Sequence, residues 1–188
     1  MRRVAFLDRD GTLNVDVDFL AHPSQLQVIP GARRAVEALD AAGYTIVVVT
    51  NQSGIARGYY DERILAAIHA ALHDRLGRIP LAYLHCPHHP EGGHGYGGAC
   101  ACRKPASGLI RQACELFGLS LDGGVLIGDA ARDLLMEPTA PLRRIHVQSG
   151  KPAAEQLAAL RAAGVEPDHS AVDLEAAVRW LLARDRGA

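Results

Sequence analysis

The chain has 188 residues, enough for one domain with a single core. Hydrophobic residues make up 48% and charged residues 22%, the balance of an ordinary soluble globular protein. A formal net charge of −1 gives no reason to expect nucleic acid or an anionic membrane as partner, and no apolar run approaches membrane-spanning length.

Met1-Arg2-Arg3 leads straight into Val4-Ala5-Phe6-Leu7, an apolar run that reads as a buried strand without a leader segment before it, so a cytoplasmic address is expected. The run ends in Asp8-Arg9-Asp10-Gly11-Thr12. Side chains at i and i+2 of an extended segment point the same way, so Asp8 and Asp10 are expected to converge, with Gly11 turning the backbone beside them. Two carboxylates that close need a cation or a shared proton. A helix is expected over 31–42, with Val36 and Leu39 inward and Gly43 as its left-handed stop. The second buried strand is Thr45-Ile46-Val47-Val48-Val49-Thr50, followed by Asn51-Gln52-Ser53-Gly54. Asp61 caps the next helix, whose Ile64, Ile68, Leu72 and Leu76 share a face up to Gly77. A short strand lies within 80–86.

Residues 87–103 are rich in Gly, His and Pro and read as a loop. Cys86, Cys100 and Cys102 flank or lie in it, three of the four cysteines in the chain. Three thiols and an imidazole make a closed tetrahedral zinc set, with His85, His88, His89 and His94 as the available imidazoles. With no open position, such a zinc is structural, and it would fix Arg103 and Lys104, which follow Cys102. Ser107 is expected to cap a helix with Ile110, Ala113, Cys114 and Phe117 on its apolar face, ended by Gly118; Cys114 reads as core. Gly124-Val125-Leu126-Ile127-Gly128 is a further strand ending at Asp129, and Asp133 follows one helical turn on. Pro138 and Pro141 should cut that helix short. A strand near 144–148, a helix from Pro152 to Gly164 and a last helix capped by Asp173 complete the chain.

Alternating strands and helices imply an α/β doubly wound parallel sheet, a Rossmann-like sandwich whose ligands bind at the carboxyl ends of strands. Asp8, Thr50 and Asp129 fall at such ends. There is no insertion long enough to form a separate cap domain, so 1–188 is read as a single domain with an open site.

Four strings in order resemble the haloacid dehalogenase (HAD) superfamily of phosphatases: Asp8-Arg9-Asp10-Gly11-Thr12, Thr50-Asn51-Gln52-Ser53-Gly54, Lys104, and Gly128-Asp129 with Asp133. The resemblance implies a Mg²⁺ held by Asp8, Asp129 and the backbone carbonyl of Asp10. It implies Asp8 as nucleophile and Asp10 as proton donor and then base. Lys104, the Thr50 hydroxyl and the backbone N–H groups of Asn51 and Gln52 would face the phosphoryl group. Asp133 would hold Lys104 or a metal-bound water, or else be a solvated helix residue. Arg57 and Arg132 are read as ordinary surface arginines.

Cys86-Pro87-His88-His89-Pro90-Glu91 and Cys100-Ala101-Cys102-Arg103-Lys104-Pro105 narrow the resemblance to the capless, zinc-loop D-glycero-D-manno-heptose 1,7-bisphosphate phosphatases. This selects His88 as the imidazole ligand. It implies a small phosphorylated sugar as substrate, read by Arg103, by a pocket segment 16–19 that includes Asp16 and Phe19, and by Asn51, Gln52 and Ser53. A monomer without a protein partner is expected. Histidinol-phosphate phosphatase is the enzyme alternative; a catalytically idle, zinc-containing sugar-phosphate binding module is the alternative of another class.

Overall fold

The computed structural model describes residues 2–187. Its strands are β1 (Arg3–Leu7), β2 (Tyr44–Asn51), β3 (Ala82–Cys86), β4 (Val125–Gly128), β5 (Arg143–Val147) and β6 (His169–Ala171). They form one parallel sheet in the order β3-β2-β1-β4-β5-β6. The order reverses beside β1, between β2 and β4, which places the tips of these three strands around one crevice.

Strand periodicity sorts the core into two layers. Ala5, Leu7, Ile46, Val48, Val125 and Ile127 face α1 (Ala32–Ala41), α2 (Glu62–Arg75) and α6 (Leu174–Asp185). Val4, Phe6, Val47, Val49 and Leu126 face α3 (Gly108–Phe117), α4 (Ala131–Leu134) and α5 (Ala153–Ala162). Asp61 and Asp173 cap α2 and α6 through side-chain bonds to Ile64 N and Ala176 N, each worth about 1 kcal/mol. At the opposite end of the sheet from the crevice, Asp185 gathers three strand beginnings. It accepts from Arg3 (2.5 Å), Tyr44 Oη (2.7 Å) and Arg143 (2.6 Å).

Most expected elements are present within two residues of their expected bounds. Ser107 stands at the start of α3, but its side chain makes no capping bond there. Phe117 is 38% exposed, so the apolar stripe of α3 closes at Ala113 and half-buried Cys114. Gly118 ends the helix in the left-handed region at φ +61°. α4 stops at Leu134, as Pro138 and Pro141 require. β6 had no expectation, because His169-Ser170-Ala171 carries no apolar run.

Candidate active site

Each tip of the crevice delivers one side chain. Asp8 follows β1, Thr50 lies near the end of β2, and Asp129 follows β4. Lys104 arrives from the loop between β3 and α3, and Asp133 from α4. All five are buried. Lys104 Nζ donates to Asp8 Oδ1 (2.6 Å) and to the Val49 carbonyl (3.0 Å), and lies 2.7 Å from Asp133 Oδ1. Burial works against its charge, but Asp133 and Asp8 outweigh burial and raise its pKa. Asn51 fixes its backbone, accepting from Lys104 N (3.0 Å) and donating to the Lys104 carbonyl (3.2 Å).

One oxygen each from Asp8, Asp129 and Asp133 lies within 4.8 Å of the others. Burial and the Asp133 charge push Asp8 up to about 8, although Lys104 opposes the rise. The same two causes push Asp129 up to about 6. Asp129 Oδ2 accepts from Lys151 N (2.8 Å), whereas its buried Oδ1 has no protein partner. A crowded carboxylate cluster with an unmatched oxygen fits a hard divalent cation. The Asp129 carboxylate is wedged between two glycines: a Cβ on Gly11 would come within 2.5 Å of Oδ2, and one on Gly150 within 2.1 Å.

This electrostatics has a measurable consequence. Between about pH 4 and pH 8 the metal-free fold binds a proton at Asp8 that the unfolded chain has released. Stability of the metal-free protein should therefore fall as pH rises through that window. Thermal unfolding without added Mg²⁺ and in excess Mg²⁺ checks this: the stabilisation by Mg²⁺ should grow from pH 5 to pH 8. A gain that is flat across this range would show that Asp8 carries no such burden.

Asp10 behaves differently from the sequence expectation. β1 ends at Leu7 and Gly11 turns at φ +81°, so the Asp8–Asp10 segment leaves the strand. The Asp10 carboxylate is not one of the three that converge. Arg9 Nη2 donates to both its oxygens (2.9 Å each), Asn14 to Oδ1 (2.9 Å) and Gln52 Nε2 to Oδ2 (2.9 Å). Burial alone would raise its pKa, but the Arg9 charge and these bonds hold it below the usual carboxylate range. Arg9 is 1% exposed and also reaches His69 Nε2 (3.2 Å) and Gln52 Oε1 (3.0 Å). Burial and Arg9 hold His69 down at about 3, so the ring is neutral and accepts from Arg9. Nothing in the sequence marked Arg9 or His69.

The Gln52 amide N–H expected at the phosphoryl site is taken by the Cys86 carbonyl (2.7 Å). The Gln52 side chain instead ties Asp10 to Thr50, donating to Thr50 Oγ1 at 2.8 Å. Thr50 keeps its own hydroxyl hydrogen to donate.

Above the buried set opens a cavity of about 270 Å³. Asp16, Phe19, Asn51, Gln52, Ser53 and Arg103, all expected at the substrate, line it together with Asp10. Its lining has four cations, Arg9, Arg103, Arg132 and Lys151, against Asp10, Asp16 and Asp18. Arg132, read as an ordinary surface residue, belongs to it. Lys151 pairs with Asp16 (2.5 Å) across the mouth.

The loop of residues 86–102 brings Cys86, His88, Cys100 and Cys102 together. Cys100 Sγ lies 3.5 Å from both other sulfurs, and His88 Nδ1 lies 3.7 Å from Cys86 and 3.4 Å from Cys102. These separations are too long for a disulfide, whose S–S bond is about 2.05 Å. They match the edges of a tetrahedron around a metal with bonds of about 2.3 Å to sulfur. Of the other imidazoles, His85 bonds Glu62 (2.8 Å) and His89 bonds Arg57 (2.9 Å), and His94 is not among the clustered groups. Arg103 donates to the His88 carbonyl (3.0 Å), which ties the cavity wall to this cluster.

The HAD-hydrolase-like family model matches residues 101–177. The chain is 39% identical over 160 residues to the D-glycero-beta-D-manno-heptose-1,7-bisphosphate 7-phosphatase of Pasteurella multocida, covering 82% of this chain and 86% of that one. It is 39% identical over 155 residues to the protein of the same name from Pseudomonas aeruginosa, covering 80% and 83%. Among solved structures, the D,D-heptose 1,7-bisphosphate phosphatase of B. bronchiseptica, complexed with magnesium and phosphate, superposes with a TM-score of 0.81. It is 35% identical, over 97% of this chain and 99% of that one. The chain is therefore a phosphoric monoester hydrolase of the HAD superfamily. Within that class it belongs to the D-glycero-D-manno-heptose-1,7-bisphosphate 7-phosphatase family.

Proposed function

We propose that the protein removes the C7 phosphate of D-glycero-D-manno-heptose 1,7-bisphosphate, a step toward nucleotide-activated heptose. The observation that carries this reading is the buried Asp8–Lys104–Asp133–Asp129 cluster beneath a cation-lined cavity, in a chain of this family. Asp8, Asp129 and the Asp10 backbone carbonyl would hold Mg²⁺, which supplies charge neutralisation between carboxylate and phosphate.

The Asp8 carboxylate attacks phosphorus and the bond to the C7 oxygen breaks, leaving an aspartyl-phosphate. Asp10 gives its proton to that oxygen, then takes one from the water that attacks the phosphorus and frees Asp8. The resting Asp10 is held ionised by Arg9; the negative charge of an incoming phosphate raises its pKa and lets it carry the proton. Lys104 and Thr50 stabilise the transferring group. Asp133 holds Lys104, and Asn51 fixes its backbone.

Asp16, Phe19, Ser53 and Arg103 contact the sugar or its second phosphate. Zinc at Cys86, His88, Cys100 and Cys102 is structural. The single domain, 1–188, works as a cytoplasmic monomer, since one chain supplies every group named; among the described residues no helix is long and apolar enough to cross a membrane.

Phosphate release from heptose 1,7-bisphosphate and from histidinol phosphate tests the substrate. With Arg9 paired to Asp10 and Lys151 to Asp16, Arg103 and Arg132 remain against Asp18 to answer the second dianionic group of the bisphosphate, where histidinol phosphate brings an ammonium group instead. The ratio of kcat/KM should favour the bisphosphate by about 10²-fold or more. Equal rates, or the reverse order, would overturn the assignment.

A further inference from the structure

Among the described residues, Phe19 is one of three non-glycine residues in the left-handed region, at φ +54°. Such a conformation is costly for a bulky side chain and is kept where the surroundings impose it. Its ring lines the cavity, and it is 39% exposed. Tyr59 lies against it with ring centroids 4.4 Å apart and is 55% exposed. The two rings come from different loops, one after the first motif and one after the second, and meet beside the cavity. The two exposed rings make one aromatic surface at the rim of a polar pocket, where a ligand with an apolar face can cover it.

The second loop is held in place from behind. Arg57 N donates to Ser53 O (3.1 Å) and Tyr59 N to Gly54 O (2.9 Å), which fix the turn that presents Tyr59. The turn then packs on the loop of residues 86–102. Gly93 N donates to the Ala56 carbonyl (2.7 Å), and Arg57 bonds His89. A Cβ on Gly58 would come within 2.6 Å of His94 Nε2. The Arg57 guanidinium reaches back to 5.9 Å from the Phe19 ring centroid.

We propose that Phe19 and Tyr59 form an aromatic wall that stacks on the C–H face of the sugar, held upright by the metal-stapled loop through Arg57 and Gly58. The inference deepens the substrate reading above and rests on it. The cations of the cavity answer phosphate charge, which every phosphate ester carries. The wall answers the part of the ligand that is carbohydrate: the C–H face of a sugar is apolar with positive edges, and an aromatic face is apolar and negative. In a site without a cap domain, these rings supply the covering surface.

The test compares two substrates that share the phosphoryl step, heptose 1,7-bisphosphate and acetyl phosphate, which has no sugar. The readout is the ratio of their kcat/KM values. Phe19→Ala and Tyr59→Ala should each lower that ratio by about 10-fold, with most of the change in KM for the sugar. Tyr59→Phe keeps the ring and should restore the wild-type ratio; Arg57→Ala should lower it by a smaller factor. A ratio that stays at the wild-type value in both alanine variants overturns the wall, whatever the absolute rates, and so does a Tyr59→Phe ratio as low as that of Tyr59→Ala. If the wild-type protein itself releases no phosphate from the bisphosphate, the substrate reading fails and the wall with it, a result distinct from either of the others.

Discussion

Asp8→Asn should cut phosphate release by about 10⁴-fold or more while leaving the protein folded and, without metal, more stable than wild type. The two halves of this expectation share one cause. Asparagine has the shape of aspartate but cannot accept a phosphoryl group. In the wild-type site Asp8 is buried with Asp129 and Asp133, and its ionised form is disfavoured by burial and by its neighbours. Asparagine is neutral in both the folded and the unfolded chain, so the variant escapes the proton uptake that metal-free folding imposes on Asp8 at neutral pH. Lys104 keeps its pairing with Asp133 at 2.7 Å, so no cation is left unpaired in the core. Steady-state phosphate release and thermal unfolding in EDTA check both halves. Turnover within about tenfold of wild type would place the nucleophile elsewhere; loss of turnover would dispose of the idle binding module.

The second large effect concerns the thiol–imidazole cluster. Elemental analysis should find one zinc per chain. Stripping that metal, or substituting Cys102→Ala, should lower kcat by ~10²-fold, and excess Mg²⁺ should not restore it, because ångström-scale misplacement of a catalytic group costs about that much. The reason is connectivity. Cys102 is followed by Arg103 and Lys104, and Arg103 is bonded to the His88 carbonyl. Nothing else of regular structure lies between β3 and α3, so a loose loop would release Lys104 from one side. Full activity in zinc-free protein would show that Asn51, which clamps the Lys104 backbone, suffices alone.

The sheet was legible because a parallel sheet buries its strands on both faces, and buried strands are written as apolar runs. Asp61, Asp173 and Gly118 marked helix ends by residue type. Motifs at strand tips could then be placed in space: Asp8, Lys104 and Asp129 do meet, and Thr50 is joined to Asp10 through the Gln52 side chain. What stayed hidden depends on partners far apart in sequence. The i, i+2 argument for Asp8 and Asp10 assumed that the strand continued; it stops, and Arg9 turns one carboxylate aside. Arg9 carried no expectation of its own, because His69 and Gln52, which enclose it, lie 60 and 43 residues away. Ser149-Gly150-Lys151 carried no expectation, yet Gly150 packs against Asp129 and Lys151 N bonds it. The backbone hydrogen of Gln52 was free to be assigned to a ligand until the register of β2 and β3 gave it to Cys86.

The Asp185 cluster gives the molecule two fastenings of unlike chemistry. Its bonds to Arg3, Tyr44 and Arg143 tie one pole of the sheet by charge and hydroxyl, in partial contact with water. The other pole would be tied by a metal ion on sulfur and imidazole. Ionic strength weakens the first kind and leaves the second nearly untouched; a chelator does the opposite. Concentrated salt should therefore soften the base of this protein while sparing its working end, and the two treatments together should unravel it from both sides.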